Sequence, residues 1–293
     1  MIQFVIKINK WIFKTIFFVL FAALFSITLL SCSDKSKKAK DYLKIAESDY
    51  LAGDYESAKS NIDSIKLLYP KAFKEIREGF DLMQDVRKAE NKRNIIFIDS
   101  MIDANIIKLK ELQRNFDFVR DENYQEFGNY IPKITPSLKT LEQNTLRSGV
   151  SEKGILFLES VLSGRNLNHN KIKVSIPDGS YAESLTVTAD GLNYKFTTLK
   201  KTYEIVRFIG NDENGLSEFI YTFKDIPITL TYIGKKNYTK TLSKIEKDAI
   251  SQSFELSNIL YEIEELKYEK GKTEALLRYL DQRTLQQAQE TRS

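Results

Sequence analysis

Two side chains stand out as candidates for chemistry: the only cysteine, Cys32, and the only histidine, His169. Cys32 follows Leu29, Leu30 and Ser31 at the end of an apolar run, and a cysteine thiol is a nucleophile that lipid chemistry can use. A histidine can act as acid, base or metal ligand near neutral pH. Metal sites need several such ligands close together, so this composition predicts no zinc or related site and no cofactor.

The segment before Cys32 has the layout of an export signal. Three lysines precede an uncharged stretch from residue 15 to residue 30. A stretch of this length is close to the roughly 17 residues that a membrane span needs, so a cleaved signal and a retained anchor compete. The small Ser31 next to Cys32 favours cleavage, because the signal peptidase pocket beside the scissile bond is narrow.

Residues 29–32 resemble the lipobox of bacterial lipoproteins, in which an apolar residue, a variable position and a small residue precede the lipidated cysteine. The resemblance implies cleavage between Ser31 and Cys32 and a diacylglycerol joined to the Cys32 thiol as a thioether. Each buried methylene of an acyl chain contributes about 0.8 kcal/mol, so several chains hold a protein at a membrane. We expect a cell-envelope location, anchored by membrane lipid on the periplasmic or surface side, with the outer membrane favoured.

The charge of the chain excludes one class of partner. Residues 1–31 contain three lysines and no acid, so the formal charge of +4 falls to about +1 without them. This near-neutral remainder predicts no nucleic-acid partner, which would require a basic patch.

With a single cysteine no intrachain disulfide can form. Residues 32–40 are polar and basic, and we expect them to form a tether.

Residues 41–116 are predicted to be helical, beginning with a helical hairpin. Gly53 is expected to end the first helix, Asp54 to cap the second, and Pro70 to stop it. The small residues Ala46 and Ala58 allow the two helices to approach closely.

This hairpin resembles one tetratricopeptide repeat. The residues on family positions are Tyr42, Ile45, Ala46, Ala58, Ile62, Ile65 and Pro70. It departs from the family at Asp49, where Tyr is preferred, and at Ile65, where a smaller residue is preferred. No second copy is found, and such repeats bury their faces on neighbours, so packing on the chain's own helices is favoured over a peptide-binding groove.

Two long amphipathic helices are predicted, in residues 72–116 and 243–285. Both have apolar residues three or four positions apart, and Gly271 marks a weak point in the second. We expect them to pair as an antiparallel coiled-coil stalk. The alternatives are two separate helices packed on the β domain, or pairing between two chains. The polar tail 286–293 is expected to fray.

Between the helices, residues 151–242 alternate apolar and polar residues as strands do, and no crossover helix is evident. The predicted strands include the apolar positions Leu156, Leu158, Ile172, Val174, Leu185, Val187, Tyr194, Phe196, Tyr203, Ile205, Phe219, Tyr221, Phe223, Leu230 and Tyr232. Pro227 should start a strand or lie at an edge. The fold class is therefore α+β, with an antiparallel sandwich or barrel-like domain inserted in the stalk. Residues 117–150 are expected to form an irregular linker at the junction.

The search for catalytic or binding groups in the β domain gives little. His169 lies among asparagines and is expected to be a solvated loop residue. A serine–histidine–acid triad would have to use it, and no serine motif supports one. Residues 210–215 superficially resemble a calcium loop, but Gly210 and Tyr221 stand where carboxylates are required, so a hairpin turn is predicted. Strand tyrosines such as Tyr181 and Tyr194 could bind sugars or peptides, although packing explains most of them.

These observations favour a non-enzymatic, membrane-tethered scaffold or adaptor for protein partners of the cell envelope. The alternative is a binding lipoprotein that recognises a saccharide or a peptide through its β domain. No residue is predicted to be catalytic or to bind a metal or cofactor. The only predicted modification is at Cys32.

Overall fold

The computed structural model describes residues 36–123, 125–135, 143–188, 193–198 and 201–290. The predicted signal and its residues Ser31 and Cys32 therefore lie outside the described residues. The protein belongs to the α+β class and contains two antiparallel sheets. Its contacts divide it into two compact units: the helical unit, which extends to Phe97 and resumes at Lys270, and the sheet unit, Ile98–Glu269. In the described part of the chain, no helix combines the length and apolar character that a membrane span requires.

The helices are α1 (residues 36–52), α2 (Tyr55–Leu68), α3 (Phe73–Gln113), α4 (Leu216–Thr222) and α5 (Lys244–Glu290), with a short 3-10 helix at Gly210–Glu213. The strands are β1 (Phe116–Val119), β2 (Asn129–Pro132), β3 (Thr145–Ser151), β4 (Leu156–Ser163), β5 (Lys171–Ser175), β6 (Tyr181–Glu183), β7 (Tyr194–Thr198), β8 (Lys201–Ile209), β9 (Thr229–Ile233) and β10 (Asn237–Thr241).

The helical unit opens with the predicted hairpin. Gly53 has a φ of 77°, a left-handed conformation that glycine adopts without strain. The Ser57 backbone N–H donates to Asp54 Oδ1 over 3.1 Å, which caps α2. Ala46 and Ala58 are fully buried in one apolar cluster, which α3 completes. The predicted caps and the close helix approach are therefore confirmed, although Ile45 is about half exposed instead of buried.

Helix bounds differ from the prediction at both ends of the helical unit. Residues 36–40, expected in the tether, are already helical, because the buried Ala39 packs with Ile65 and Ala72. Residues 286–290, expected to fray, continue α5 to Glu290. The helix also passes through Gly271 without a break, since helical hydrogen bonding on both sides outweighs the weak propensity of one glycine.

The sheet unit contains two antiparallel sheets. Six strands are ordered β1-β2-β3-β4-β8-β7, and four are ordered β10-β9-β5-β6. Strand β4 is paired along its length with β3 on one side and β8 on the other, so it is the central strand. One continuous apolar core contains buried side chains of both sheets, among them Leu158 and Phe208 of the first and Ile172 and Leu230 of the second.

The structure corrects several predictions for this region. Residues 117–150 are not an irregular linker, because they contain most of β1 and all of β2, with β3 extending from Thr145 to Ser151. Phe219 and Tyr221 lie in α4 and not in a strand, since Leu216 and Ile220 bury one helical face. Residues 210–213 form the 3-10 helix, and Asn214 and Gly215 make the turn into α4, so residues 210–215 are not a hairpin turn between strands. Leu185 and Val187 follow β6 without joining a strand.

Helices α3 and α5 make contacts inside each unit. In the sheet unit, Asn105 Nδ2 donates to Glu262 Oε2 over 3.2 Å, and Leu109 and Leu112 pack beside Leu256. In the helical unit, Lys88 Nζ lies 2.9 Å from Asp281 Oδ1.

Candidate functional site

The lone histidine is buried, contrary to the prediction of a solvated loop residue. His169 belongs to the loop of residues 164–170, which joins β4 to β5. The loop lies against the turn between β9 and β10, where the Lys235 N–H donates to the Leu167 carbonyl over 2.8 Å. Its polar sequence suggested exposure, but this packing removes the ring from solvent, leaving only 4% of the residue accessible.

His169 connects a serine to a carboxylate. Its Nε2 lies 2.7 Å from Ser160 Oγ, and its Nδ1 lies 2.8 Å from Glu204 Oε2. Glu204 also accepts hydrogen bonds from the backbone N–H groups of Asn168 and His169, over 2.8 and 3.0 Å. When Nδ1–H donates to the carboxylate, Nε2 is left to accept from the Ser160 hydroxyl.

The surroundings of Glu204 favour its ionised form. Burial by itself opposes ionisation, but the hydrogen bonds from the His169 ring and from the two backbone N–H groups outweigh it. The pKa of Glu204 therefore falls from its ordinary 4.5 to about 2. The carboxylate is a fixed negative charge beneath the loop at neutral pH.

The order serine, histidine, carboxylate is that of a hydrolase triad, but the position of the serine does not suit a nucleophile. Ser160 is in the central strand β4, opposite Val206 of β8, and is fully buried. Its Oγ also lies 3.3 Å from the Val206 carbonyl. A triad serine must be reachable by a scissile carbonyl. The arrangement instead joins the loop of residues 164–170 to the sheet through hydrogen bonds.

Two members of this hydrogen-bonded group, His169 and Glu204, line the base of a cavity of about 430 Å³, here called the polar cleft. Val187, Ile205 and Val206 contribute apolar surface to its lining. Polar side chains and one aromatic ring complete it, from Asn168, Asn170, Thr186, Thr188, Asn193, Tyr194 and Lys195. An apolar surface with several hydrogen-bonding groups at its edge is typical of a small-molecule site.

Of the polar groups in the cleft, Asn193 has an unused hydrogen-bond acceptor and Lys195 has its charge already paired. Asn193 donates through Nδ2 to the Thr188 carbonyl over 2.9 Å, while its buried Oδ1 finds no donor among the described residues. Lys195 donates to the side-chain oxygens of Asn166 and Asn168, and its Nζ lies 3.9 Å from Glu204 Oε1. An acceptor without a partner costs free energy when buried, so a ligand hydroxyl or amide would stabilise it.

The tyrosines proposed as binding platforms differ in their exposure and in their distance from the polar cleft. Tyr194 borders the polar cleft and is 58% exposed, and Tyr181, on the other sheet, is also 58% exposed. Tyr232 is fully buried in the core. Of the predicted platform residues, Tyr194 is thus placed with the histidine, whereas Tyr181 lies under the Lys173 ammonium.

A second polar group lies on the same six-stranded sheet. Arg207 Nη2 donates to Glu159 Oε2 over 2.8 Å, and Arg147 Nη1 lies 3.8 Å from Glu159 Oε1. The adjoining cavity measures only about 140 Å³. Within the described ranges, no three acidic, histidine or cysteine side chains form a group that could hold a metal ion.

Sequence reasoning missed the site because its members lie on three separate elements. One signal was available: the alternation along β8 places Glu204 in phase with the buried Val206 and Phe208. A carboxylate at such a position requires a buried partner. No protein-family model matches the chain, and neither the curated proteins nor the solved structures include a match.

Proposed function

We propose that the protein is a lipid-anchored binding protein of a bacterial cell envelope, whose polar cleft takes a small polar ligand, a saccharide or a short peptide. The observation that supports this most is the composition of the cleft. Amide and hydroxyl side chains surround an apolar surface, and an exposed tyrosine stands at the rim.

The chemistry of the lining favours sugar or peptide groups over other ligands. Asparagine and threonine side chains both donate and accept hydrogen bonds, as hydroxyl and amide ligands require. The Tyr194 ring offers a face on which a sugar ring or an apolar side chain could stack. The single lysine of the cleft is already bonded to Asn166 and Asn168, which makes a multiply charged anion a poor fit.

The base of the cleft is suited to binding because it is held in place. His169 and Glu204 fix the loop of residues 164–170 to β8, so Asn168 and Asn170 are positioned before a ligand arrives. Pre-organised groups lose less conformational entropy when a ligand binds. In this proposal the Ser160, His169 and Glu204 group supports the binding surface, and the protein is not an enzyme.

A glycan array and a peptide array, followed by isothermal titration calorimetry of each hit, would test the proposal. We expect saturable binding, with a loss of up to about tenfold in affinity for Tyr194→Ala, because the ring would no longer stack on the ligand. Tyr181→Ala is the matched control, since both tyrosines are 58% exposed and lie on different sheets. Flat responses on both arrays, or equal losses in the two variants, would reject the cleft as the binding site.

The anchor is proposed from residues 29–32 and has its own test. Cys32→Ala should abolish incorporation of labelled fatty acid and leave a precursor that retains residues 1–31. A mature-sized, membrane-retained Cys32→Ala protein would reject lipidation at this residue.

A second candidate function is the scaffold or adaptor that the sequence favoured. It would use a coiled-coil stalk formed by residues 72–116 and 243–285 and a β-sandwich between them. Contacts inside each unit support this pairing, namely Lys88 with Asp281 and Asn105 with Glu262. Exposed apolar side chains on α3 and α5 could bind a protein partner, among them Ile96, Leu276, Tyr279 and Leu285 in the helical unit. Crosslinking in intact cells with mass spectrometry should recover one specific partner, and failure to recover any would count against this function.

A further inference from the structure

The end of α2 and the start of α3 expose large apolar side chains that the proposed function does not use. Leu67 is 80% exposed, Leu68 52% and Phe73 77%. We call these three residues the basal patch. Two of them, Leu68 and Phe73, line a cavity of about 490 Å³ whose surface is mainly apolar. Adjacent exposed leucine and phenylalanine side chains are typical of a surface that contacts a membrane or a partner.

The basal patch has a basic border. Lys66, Lys71 and Lys74 are exposed within the same turn and its flanking helices. The acids of the same segment are Asp63, Glu75 and Glu78. Glu78 lies 3.8 Å from Lys74, and Glu75 is buried. The three exposed lysines therefore outnumber the two exposed acids, Asp63 and Glu78, and this small excess of positive charge complements anionic lipid headgroups.

The start of α1 lies at the same end of the hairpin. Ser36 Oγ donates to Glu75 Oε1 over 3.0 Å, and Ser36 lines the same cavity as Leu68 and Phe73. Cys32 is four residues before Ser36 in sequence. Four residues of fully extended chain span at most about 14 Å, so a lipid on Cys32 must be held close to this cavity.

We infer that the basal patch inserts into the headgroup region of the membrane to which Cys32 is attached, with its lysines on anionic lipid. This inference rests on the proposed lipid anchor. Leucine and phenylalanine gain free energy by leaving water for the boundary of the acyl chains, and flanking lysines keep their charges among the headgroups. The patch would thereby orient the protein on the membrane and not merely tether it.

A pair of cysteine variants would test the inference in the full chain. Leu67→Cys places a thiol in the patch, and Leu51→Cys places one at the opposite end of α1, where Leu51 is 83% exposed. Both proteins, purified from bacterial membranes, would be labelled with an environment-sensitive fluorophore and reconstituted into phosphatidylethanolamine and phosphatidylglycerol vesicles. Lipids with a nitroxide near the headgroup would serve as quenchers.

We expect at least threefold stronger quenching at position 67 than at position 51. The difference should shrink in pure phosphatidylcholine vesicles, because each lysine near an anionic surface contributes about fivefold to the binding constant. Equal quenching at both positions would overturn the inference. A probe at position 67 that is shielded from water without lipid would also overturn it, because another part of the chain would then cover the patch. A probe that is shielded from water only at high protein concentration would overturn it as well, because a second copy of the chain would then cover the patch.

Labelling of the parent chain separates this inference from the proposed anchor. A lipidated Cys32 has no free thiol, so the parent chain should remain unlabelled and float with the vesicles. A labelled parent chain would reject the anchor. In that case, stronger quenching at position 67 than at position 51 would still support contact between the patch and lipid. Equal quenching would reject both the lipid anchor and the membrane contact of the patch.

Discussion

The carboxylate of Glu204 and the ring of His169 form a buried pair, with Oε2 and Nδ1 2.8 Å apart, beneath the loop that forms one side of the polar cleft. The pair joins β8 to residues 164–170, two parts of the chain separated by more than thirty residues. Because the backbone N–H groups of Asn168 and His169 also donate to Glu204, the carboxylate fixes the backbone of the loop as well as the ring. The geometry of the cleft therefore depends on a single buried charge.

Removing the partner of that charge should destabilise the protein strongly. For His169→Ala we expect the free energy of unfolding to fall by about 3 kcal/mol, since breaking a buried pair leaves an uncompensated charge. For Ser160→Ala we expect about 1 kcal/mol, the contribution of one hydrogen bond. Urea unfolding followed by circular dichroism measures both. The exposed Ser180→Ala serves as control and should change little, and a loss below 1 kcal/mol for His169→Ala would contradict the pairing.

The lowered pKa of Glu204 predicts a loss of stability in acid. The carboxyl group has a pKa of about 2 in the folded protein and about 4.5 when unfolded, so its ionised form stabilises the fold above pH 4.5. That stabilisation, up to about 3 kcal/mol, should disappear as the pH falls from 4.5 to 2.

Urea titrations of the wild type and of Glu204→Gln, repeated across this range of pH, check the prediction. The difference in unfolding free energy between the two proteins should narrow below pH 4.5, because the variant lacks the titrating group. The comparison is needed because the pKa of Glu246 is also lowered: burial opposes its ionisation, but hydrogen bonds from Lys240, Ser243 and Leu146 favour it. Parallel curves from pH 6 to pH 2 would contradict the assignment to Glu204.

The first turn of α5 is bonded to both sheets through Glu246. One carboxylate oxygen accepts from the Leu146 N–H over 3.0 Å and from Lys240 Nζ over 2.6 Å, while the other accepts from the Ser243 N–H over 2.8 Å. Ser243 Oγ accepts in return from the Glu246 N–H over 3.2 Å, which completes a capping box.

Glu246→Ala should therefore lower the free energy of unfolding by about 3 kcal/mol, because it leaves the Lys240 ammonium partly buried without its carboxylate. Ser243→Ala should cost about 1 kcal/mol, the usual effect of losing an N-cap. Thermal or urea unfolding measures both variants. Equal small losses would show that the bonds to β3 and β10 contribute little beyond the cap.

Two glycines should respond in opposite directions to alanine. At Gly234, an added Cβ would lie 2.4 Å from the Leu167 carbonyl oxygen and 2.9 Å from the His169 Cα, both backbone atoms. Gly234→Ala should displace the loop of residues 164–170 and cost about 2 kcal/mol or more. At Gly271, inside α5, a Cβ meets nothing within 4 Å, so Gly271→Ala should raise stability by up to about 1 kcal/mol. Urea or thermal unfolding midpoints measure both variants. Midpoints of Gly234→Ala and Gly271→Ala that are both raised, or both lowered, relative to the wild type would contradict the prediction.

Alternation of buried and exposed residues made strand β5 predictable, because every second residue in it is buried. In β8 the period was visible but the phase was wrong: Glu204, Val206 and Phe208 are buried, and the predicted positions Tyr203 and Ile205 are only partly buried. Strands β1 and β2 were missed because each has four residues and one buried position, too few for a period to show. Strand β3 was missed because six consecutive residues are buried, which leaves no alternation. Helix α4 was mistaken for a strand because Phe219, Tyr221 and Phe223 fit a period of two, while Leu216 and Ile220 show the helical spacing.

The candidate site was less predictable than the fold because tertiary contacts create it. His169 is surrounded by asparagines in sequence, and its burial results from the turn at Gly234 and from Glu204, both distant along the chain. Tyr194 could be named in advance as an aromatic platform, but so could Tyr181, and only assembly of the sheets distinguishes them. The hairpin around Gly53 was predictable because its caps are local.

The parts of α3 and α5 that belong to the sheet unit contact each other, and this has an evolutionary consequence. Asn105 and Glu262 are 3.2 Å apart, and Leu109 packs in the same cluster as Leu256. A chain segment whose two ends lie close together can be replaced by another domain, because the new domain needs only to have its own first and last residues close together. Recombination at this junction could give the same helices a new binding specificity without redesigning them. Grafting residues 98–269, which keep Glu246 and the buried Ile250 with the two sheets, onto an unrelated pair of helices would then yield a folded chimera.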